Sequence, residues 1–303
     1  MSECLVWERD GRDWPHRETS HFVQAGGLRW HVQQLGRGPV MLLIHGTGAA
    51  THSWRDLAPL LAQSFTLVSA DLPAHAFTET PPARGLALPG MAASMAALVD
   101  TLGLDVRWVL GHSAGAAIAA RMILDRRIAP QALIGLNAAM LPLDGVAGLL
   151  FPPAARLMAS TSIAARLFAW RASDPAAIER LIAGTGSVLS PAGVALYARL
   201  VRDVKHVAGA LAMMAQWDLK SFAPQLRELG TPLALLAGDQ DRAVPPTQAQ
   251  QVLAMLPQST RSTLTVLRGA GHLAHEERPA EVAQFVRQTV AWVNAAREGD
   301  RRG

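Results

Sequence analysis

Residues 108–124 read WVLGHSAGAAIAARMIL, a short apolar run followed by a tight turn and a helical pattern. The turn, Gly111-His112-Ser113-Ala114-Gly115, has the form G-x-S-x-G in the strand-turn-helix context that this motif requires. Flanking glycines let strand and helix approach closely, and the turn lifts the Ser113 hydroxyl out of the sheet at the positive end of the helix. We predict a nucleophilic Ser113 here, against the alternative of an ordinary glycine-rich turn.

Similar apolar runs alternate with helical patterns on both sides of this stretch, which is typical of βαβ units. Helical spacing of apolar residues predicts helices near 91–102 and 282–293, and residues 21–24 and 28–34 flank Gly26-Gly27 as a β-hairpin would. The remaining predicted strands cover residues 40–44, 65–70, 108–110, 132–136, 233–237 and 264–267. Together they predict an α/β fold with a mostly parallel sheet flanked by helices.

The alternation stops near residue 138. From there to about residue 222, helical patterns are interrupted by prolines and show no strand pattern. We interpret 138–221 as a helical cap inserted over the strand ends. The core would then comprise residues 21–137 and 222–296, with tails at 1–20 and 297–303.

Composition excludes several classes of protein. The 303 residues carry a net charge of only +4 and no basic stripe, which argues against a nucleic-acid partner. Cys4 is the single cysteine, so no internal disulfide can form. The first fifteen residues lack the apolar segment of a secretory signal, and no apolar stretch is long enough to span a membrane. We expect a soluble, cytoplasmic protein without a transmembrane segment.

A serine nucleophile needs a base, and His272 is the candidate. It follows the predicted strand 264–267 in Gly269-Ala270-Gly271-His272, at the same sheet edge as Ser113. His275 is the rival base. The His-x-x-His spacing could also indicate a metal site, but no carboxylate or thiol cluster completes one, so we expect no metal and no cofactor.

The acid that orients the base should follow another strand end. Strand 233–237 leads into Gly238-Asp239-Gln240-Asp241, and the pattern G-x-x-D-x-x-V-P favours Asp241, with Asp239 as the alternative. Strand 132–136 ends in Asn137, a neutral residue, so the other common acid position looks unused. The chain order Ser113, Asp241, His272 is that of α/β-hydrolases.

Acyl transfer also needs donors for a tetrahedral oxyanion. His45-Gly46-Thr47-Gly48 follows strand 40–44, and the backbone N–H groups of Thr47 and Ala114 are the expected pair. The loop after the next strand, residues 71–78, reads DLPAHAFT, where this fold usually has D-x-P-G-H-G-x-S. If either alanine occupies a left-handed position, it costs about 1 kcal/mol or more, so we expect this loop to have an adjusted shape.

The cap favours a large apolar substrate over a small polar one. Residues 138–153 carry one charge, and Met213 and Met214 have side chains that adapt to flat or irregular ligands. The alternative is that these residues form the cap's own core, and an exposed lid could also touch a membrane surface as a peripheral contact. Expected pocket residues are His45, His112, Leu141, Phe151, Met214 and Trp217.

Several segments resemble the BchO-type α/β-hydrolases, a family named for accessory proteins of magnesium chelatase in bacteriochlorophyll synthesis. They include residues 10–32, 42–61, 111–117, 210–219 and 269–282, and the likeness runs from about Asp10 to Trp292. The resemblance implies an α/β-hydrolase fold, magnesium-chelatase subunits as partners and a role near magnesium insertion into protoporphyrin. The serine nucleophile argues against the similar dehalogenase and epoxide-hydrolase branches, which use aspartate.

Two hypotheses of function follow. The first is a serine hydrolase that cleaves an ester or similar acyl bond of a large apolar molecule such as a tetrapyrrole. The second is a non-catalytic module that binds a porphyrin or assists the chelatase. A weaker third is a C–C bond hydrolase or cofactor-free perhydrolase, since both use similar triads.

Overall fold

The computed structural model describes residues 4–142 and 175–300. In this part of the chain, eight strands form one sheet in the order β1-β2-β4-β3-β5-β6-β7-β8. Strands β1 and β2 form the antiparallel hairpin, β2 also pairs antiparallel with β4, and all other neighbours are parallel. The strands are β1 Ser20–Ala25, β2 Leu28–Leu35, β3 Val40–Ile44, β4 Thr66–Ala70, β5 Val106–His112, β6 Ala132–Leu136, β7 Leu233–Gly238 and β8 Ser262–Leu267.

Helices cover both faces of the sheet. The described α-helices are α1 Trp7–Asp10, α2 Ala58–Leu61, α3 Leu88–Thr101, α4 Ala114–Leu124, α5 Pro175–Gly184, α6 Pro191–Arg202, α7 Val204–Ala215, α8 Leu219–Phe222, α9 Thr247–Met255, α10 Ala274–Glu277 and α11 Pro279–Asp300. Short 3₁₀ turns lie at Arg17–Thr19, Thr51–Trp54, Ala83–Leu86 and Ala223–Glu228. One apolar cluster packs α3 and α4 on one face, and a second packs α2 and α11 on the other. The α/β-hydrolase fold predicted from the sequence is confirmed.

The central strands are buried on both faces, which explains why they read as continuous apolar runs. Strand β5 is longer than the predicted strand 108–110. It begins at Val106 and continues to His112, because residues at both ends pair with β3 or β6. Parallel order brings the carboxyl ends of β3 to β8 to one edge, where the turns with polar residues meet.

In the described part of the proposed cap, residues 175–221 are mostly helical, whereas residues 138–142 form no helix and pack in the core cluster. Helices α5, α6 and α7 enclose a small apolar cluster of their own, which also includes Leu273 of the core. The predicted boundaries of the cap stay a prediction, since residues 143–174 lie outside the described part of the chain.

The N-terminal residues pack against both core and cap. Trp14 is 2% exposed and donates from its indole N–H to Thr51 Oγ1 at 3.0 Å. Arg199 of α6 pairs with Asp13, and the backbone N–H of Leu5 donates to Asp203 at the start of α7. Residues 5–14 therefore form a strap between the core and the cap. No helix within the described ranges is both long and apolar enough to cross a membrane.

Candidate active site

Ser113 occupies the turn between β5 and α4 with a strained backbone, φ 51° and ψ −120°. The glycines on either side are required by close packing. A Cβ at Gly111 would lie 2.6 Å from the backbone of Ala116, and one at Gly115 would lie 2.1 Å from the carbonyl oxygen of Ile44. The motif therefore holds the serine on a turn that packs against β3 too tightly for larger residues.

The structure brings Ser113 and His272 together from positions 159 residues apart. Ser113 Oγ lies 3.0 Å from His272 Nε2, and His272 Nδ1 lies 2.9 Å from Asp241 Oδ2. With the proton on Nδ1, the ring donates to Asp241 and accepts the Ser113 hydroxyl proton. This is the geometry of a nucleophile, a base and an orienting acid.

The Asp241 carboxylate is held from both sides. Its Oδ1 accepts the backbone N–H groups of Ala243 and Val244, each at 2.8 Å. Burial acts to raise the pKa of Asp241, but the hydrogen bond and charge of His272, with the Val244 N–H and the Asn137 amide, outweigh it and leave the pKa below its usual value. Asp239, the alternative acid, instead accepts the backbone N–H of Gly269 at 2.7 Å.

Asn137 is a site residue that the sequence reasoning missed. Its side-chain N–H₂ donates to Asp241 Oδ2 at 2.8 Å and to the Gly271 carbonyl at 3.2 Å, so it joins the acid turn to the histidine turn. Its backbone is left-handed, φ 46°, a conformation that asparagine tolerates better than most residues. The position of Asn137 at the end of β6, next to the strand that leads to Asp241, is the feature of the sequence that could have indicated this role.

His275, the rival base, bonds a different serine and not Ser113. Its Nε2 lies 2.7 Å from Ser53 Oγ, and Ser53 in turn donates to Glu276 Oε1 at 2.9 Å. His275 is fully buried, and burial is the main reason that its pKa lies well below the usual value. This second serine-histidine pair has no access to solvent, so it serves the structure.

The loop after β3 lies directly against the serine. A Cβ at Gly46 would approach the Ser113 Cβ to 3.0 Å. Neither the Thr47 nor the Ala114 backbone N–H donates a hydrogen bond within the described residues, so both could serve an oxyanion. The Thr47 hydroxyl points to Met213 Sδ of α7 at 3.5 Å.

Both alanines of the loop at 71–78 occupy left-handed positions, Ala74 at φ 63° and Ala76 at φ 42°. The conformation expected for the missing glycines is thus retained with alanine in their place. His206 of α7 stabilises the loop, because its Nδ1 accepts the Ala76 N–H at 3.0 Å and its Nε2 donates to the Gly48 carbonyl at 3.2 Å. One cap histidine therefore binds two active-site loops.

The described members of the predicted pocket are largely buried in the structure. His45 Nε2 accepts the Leu72 N–H at 2.9 Å, and His112 Nε2 donates to the His272 carbonyl at 2.9 Å, so both rings support backbone at the site. Met214 packs in the cap cluster and Trp217 against the core. Leu141 is 8% exposed, and Phe151 lies outside the described residues. Their role as pocket residues stays a prediction.

The arrangement can support covalent acyl chemistry. It combines a serine hydroxyl in contact with an imidazole, a buried carboxylate on the far ring nitrogen and two backbone N–H groups beside the serine. Among residues 4–142 and 175–300, no group of three or more His, Cys, Asp or Glu side chains is placed to hold a metal ion.

Comparison with known proteins agrees with this fold. A family model described as the alpha/beta hydrolase fold matches residues 39–279. The magnesium-chelatase 30 kDa subunit of Rhodobacter capsulatus is 36% identical over 266 residues, covering 87% of this chain and 92% of that protein. A soluble epoxide hydrolase of Corynebacterium sp. (strain C12) is 33% identical over 140 residues, 46% of this chain and 48% of that one.

Among solved structures, an alpha/beta hydrolase fold protein from Burkholderia ambifaria superposes with a TM-score of 0.74 at 24% identity, covering 88% of this chain and 97% of that one. At that identity the likeness concerns the fold alone. The family model spans most of the chain, and the Rhodobacter relative is similar over nearly its whole length. The chain therefore belongs to the α/β-hydrolase fold family, in the branch that contains the magnesium-chelatase 30 kDa subunit.

Proposed function

We propose that the protein is a serine hydrolase that cleaves an ester or similar acyl bond of a large apolar substrate. The observation that carries this proposal is the hydrogen-bonded chain from Ser113 Oγ through His272 to Asp241, with distances of 3.0 and 2.9 Å. Hydrolases among the relatives support the reaction class in general.

In this reaction Ser113 Oγ attacks the carbonyl carbon while its proton passes to His272 Nε2. The oxygen of the tetrahedral intermediate receives hydrogen bonds from the Thr47 and Ala114 N–H groups. His272 then gives the proton to the departing alkoxide. Water, deprotonated by His272, attacks the acyl-enzyme and releases the acid, which restores Ser113. The Asp241 carboxylate, whose pKa lies below its usual value, is ionised at neutral pH and stabilises the imidazolium.

The proposed substrate class rests on the cap and on one relative. Helix α7 packs the fully buried Met213 against the Thr47 hydroxyl, so the loop proposed to bind the oxyanion lies against an apolar part of the cap. The Rhodobacter capsulatus relative is named as a subunit of magnesium chelatase. We extend this to propose a tetrapyrrole ester as substrate and an accessory role with magnesium-chelatase subunits.

The same relative favours a second function. Its name describes a chelatase subunit, not a hydrolase. A protein that binds a porphyrin and assists the chelatase would need the cap but not a reactive Ser113. The two functions differ in whether the serine is activated.

A fluorophosphonate probe separates them, because it labels only an activated serine. We expect wild-type protein to be labelled and Ser113→Ala and His272→Ala to remain unlabelled. Asp241→Asn should slow labelling by roughly a thousandfold or more, whereas Asp239→Asn, the matched control, should label at nearly the wild-type rate. A screen of porphyrin esters and other apolar esters would follow.

Absence of labelling in folded wild-type protein, with a small probe as well as a large one, would contradict the hydrolase. The binding module would then be tested by porphyrin titration of the intrinsic tryptophan fluorescence and by chelatase rate with and without the protein. Labelling of Asp241→Asn at the wild-type rate would contradict the assigned acid.

A further inference from the structure

The backbone around His272 is hydrogen-bonded at each of three successive N–H groups. Gly271 N–H donates to Glu277 Oε2 at 2.8 Å, within the core. The next two N–H groups donate to the cap. His272 N–H reaches the Thr185 carbonyl at 3.4 Å, and Leu273 N–H reaches Ser187 Oγ at 2.8 Å.

The connection between α5 and α6, residues 185–190, packs against both the acid turn and the histidine turn. The Thr185 carbonyl also accepts the Arg242 N–H at 3.1 Å, beside Asp241. A Cβ at Gly186, whose φ is 85°, would lie 1.8 Å from the Gln240 carbonyl oxygen, and a Cβ at Gly271 would lie 2.4 Å from the Gly186 backbone. The two backbones therefore meet without side chains between them.

Ser187 is the side chain at the centre of this contact. It is 1% exposed, and its hydroxyl oxygen is the acceptor for the N–H of the residue directly after His272. The neighbouring Val188 N–H donates to Glu277 Oε1 at 2.8 Å, the carboxylate whose other oxygen holds Gly271. The cap connection and Glu277 thus enclose the His272 turn from both sides.

We propose that Ser187 is a positioning residue for the base: through the Leu273 N–H, the cap connection sets the distance from His272 to Ser113 and to Asp241. This inference rests on the proposed hydrolase function, and it makes this part of the cap a component of the catalytic geometry. Loss of the acceptor would leave the Leu273 N–H buried and unpaired, and the turn would shift to restore a partner.

The test compares Ser187→Ala with Ser190→Ala. Ser190 lies on the same connection, but its hydroxyl caps α6 by accepting the Gly193 N–H, and it makes no described contact with the His272 turn. Because displacement of a reacting group by less than 1 Å is costly, we expect Ser187→Ala to lower the limiting rate of fluorophosphonate labelling about tenfold. The probe's apparent affinity should change little, and Ser190→Ala should label like wild type.

Two further readouts do not depend on reactivity. The proton NMR spectrum should show a low-field resonance from the His272–Asp241 hydrogen bond in wild type, and Ser187→Ala should shift or broaden it. Amide exchange at Leu273 should become faster. Neither change is expected in Ser190→Ala.

Wild-type labelling rate and an unchanged low-field resonance in Ser187→Ala would overturn the proposal. If Ser187→Ala does not fold, Ser187→Cys, which retains a weak acceptor of similar shape, must show a smaller loss in the same direction, and a wild-type rate in it would equally overturn the proposal. If wild-type protein is not labelled, the hydrolase function fails, while the resonance and the exchange rate still decide the positioning role.

Discussion

At the scale of single residues, four of the six non-glycine residues with left-handed backbone in the described part of the chain lie in turns around the site. Ser113, Asn137, Ala74 and Ala76 all have φ between 42° and 63°. They follow strands β5, β6 and β4 at the same edge of the sheet. Such positions cost about 1–2 kcal/mol for a residue with a Cβ, so packing in the site must hold them in place.

Ala76→Gly should relieve part of this strain. The left-handed alanine costs about 1 kcal/mol or more, and the greater freedom of glycine in the unfolded chain offsets part of the gain, so we expect a net stabilisation of about 0.5 kcal/mol. The matched control is Ala62→Gly, which is also half-buried but has φ −61° and should lose about 0.5–1 kcal/mol. The midpoints of urea unfolding measure both changes in stability, provided that the dependence of the unfolding free energy on urea concentration is the same in each variant. Equal destabilisation of the two variants would contradict strain at Ala76.

Asn137→Gly removes both side-chain hydrogen bonds of Asn137 while keeping the left-handed backbone unstrained. Without them, Asp241 and the Gly271 carbonyl lose their shared donor, and the acid and histidine turns are free to separate. We expect the labelling rate to fall about tenfold. Asn137→Asp keeps the shape but places a second carboxylate against Asp241, so it should lose at least as much. A labelling rate within about twofold of wild type for Asn137→Gly would show that Asn137 does not help to hold the acid and histidine turns together.

At the scale of elements, α6 docks on the core through a buried polar group. Tyr197 donates to Glu276 Oε1 at 2.7 Å, and the same carboxylate binds Ser53 and Arg55. Burial and the nearby Glu276 charge raise the pKa of Tyr197 well above its usual value. Glu276 belongs to α10, the short helix that directly follows the His272 turn. The cap thus contacts the helix after this turn through Tyr197 of α6, and the turn itself through Ser187.

Tyr197 is the single tyrosine of the chain, so its ionisation can be followed directly. We expect no phenolate absorbance near pH 10 in the native protein, because ionisation would put a second negative charge beside Glu276. The absorbance should rise only with alkaline unfolding, and unfolded protein in urea should titrate normally. Tyr197→Phe is the blank. A reversible step near pH 10 in the folded protein would contradict a buried Tyr197 hydroxyl paired with Glu276.

At the scale of the whole molecule, buried neutral histidines hold the loops together. Burial lowers the pKa of His45 and His206 to about 4 and that of His75 and His112 to about 3. His45, His206 and His112 each hydrogen-bond the backbone of another loop. His75 Nδ1 donates to the Pro73 carbonyl within its own loop. Protonation of these rings in the folded protein is therefore unfavourable.

The protein should therefore lose stability in mild acid. Below pH 6.5 the unfolded chain binds protons at these histidines and the folded chain does not, so the free energy of unfolding falls as pH drops from about 6.5 towards 4. Each histidine contributes up to about 1.4 kcal/mol per pH unit in that range. Burial raises the pKa of Glu276, so this one carboxyl group acts in the opposite direction and stabilises the fold as pH falls.

Urea unfolding between about pH 8 and pH 5 measures this slope. In His75→Asn, the new amide can still donate to the Pro73 carbonyl. The dependence of the unfolding free energy on pH should then correspond to the uptake of about one proton fewer on unfolding. Stability that is independent of pH across this range would show that the histidines are not buried as neutral rings.

The sequence by itself determined the fold class and the turns at the strand ends. Buried parallel strands read as continuous apolar runs, and the glycines beside Ser113 mark a turn that excludes a Cβ, so both signals are local in the chain. Whether residues 74 and 76 are left-handed was left open by the sequence, and the structure shows that both are.

Only the tertiary structure decided which polar groups meet. Asp241 contacts His272 while Asp239 bonds a neighbouring turn, although the two carboxylates are only two residues apart. Asn137 reaches Asp241 across 104 residues, and Ser187 reaches the Leu273 N–H across 86. Hydrogen bonds act over about 3 Å and depend on the direction of each side chain. That direction is set by packing between distant segments, which no local pattern in the sequence records.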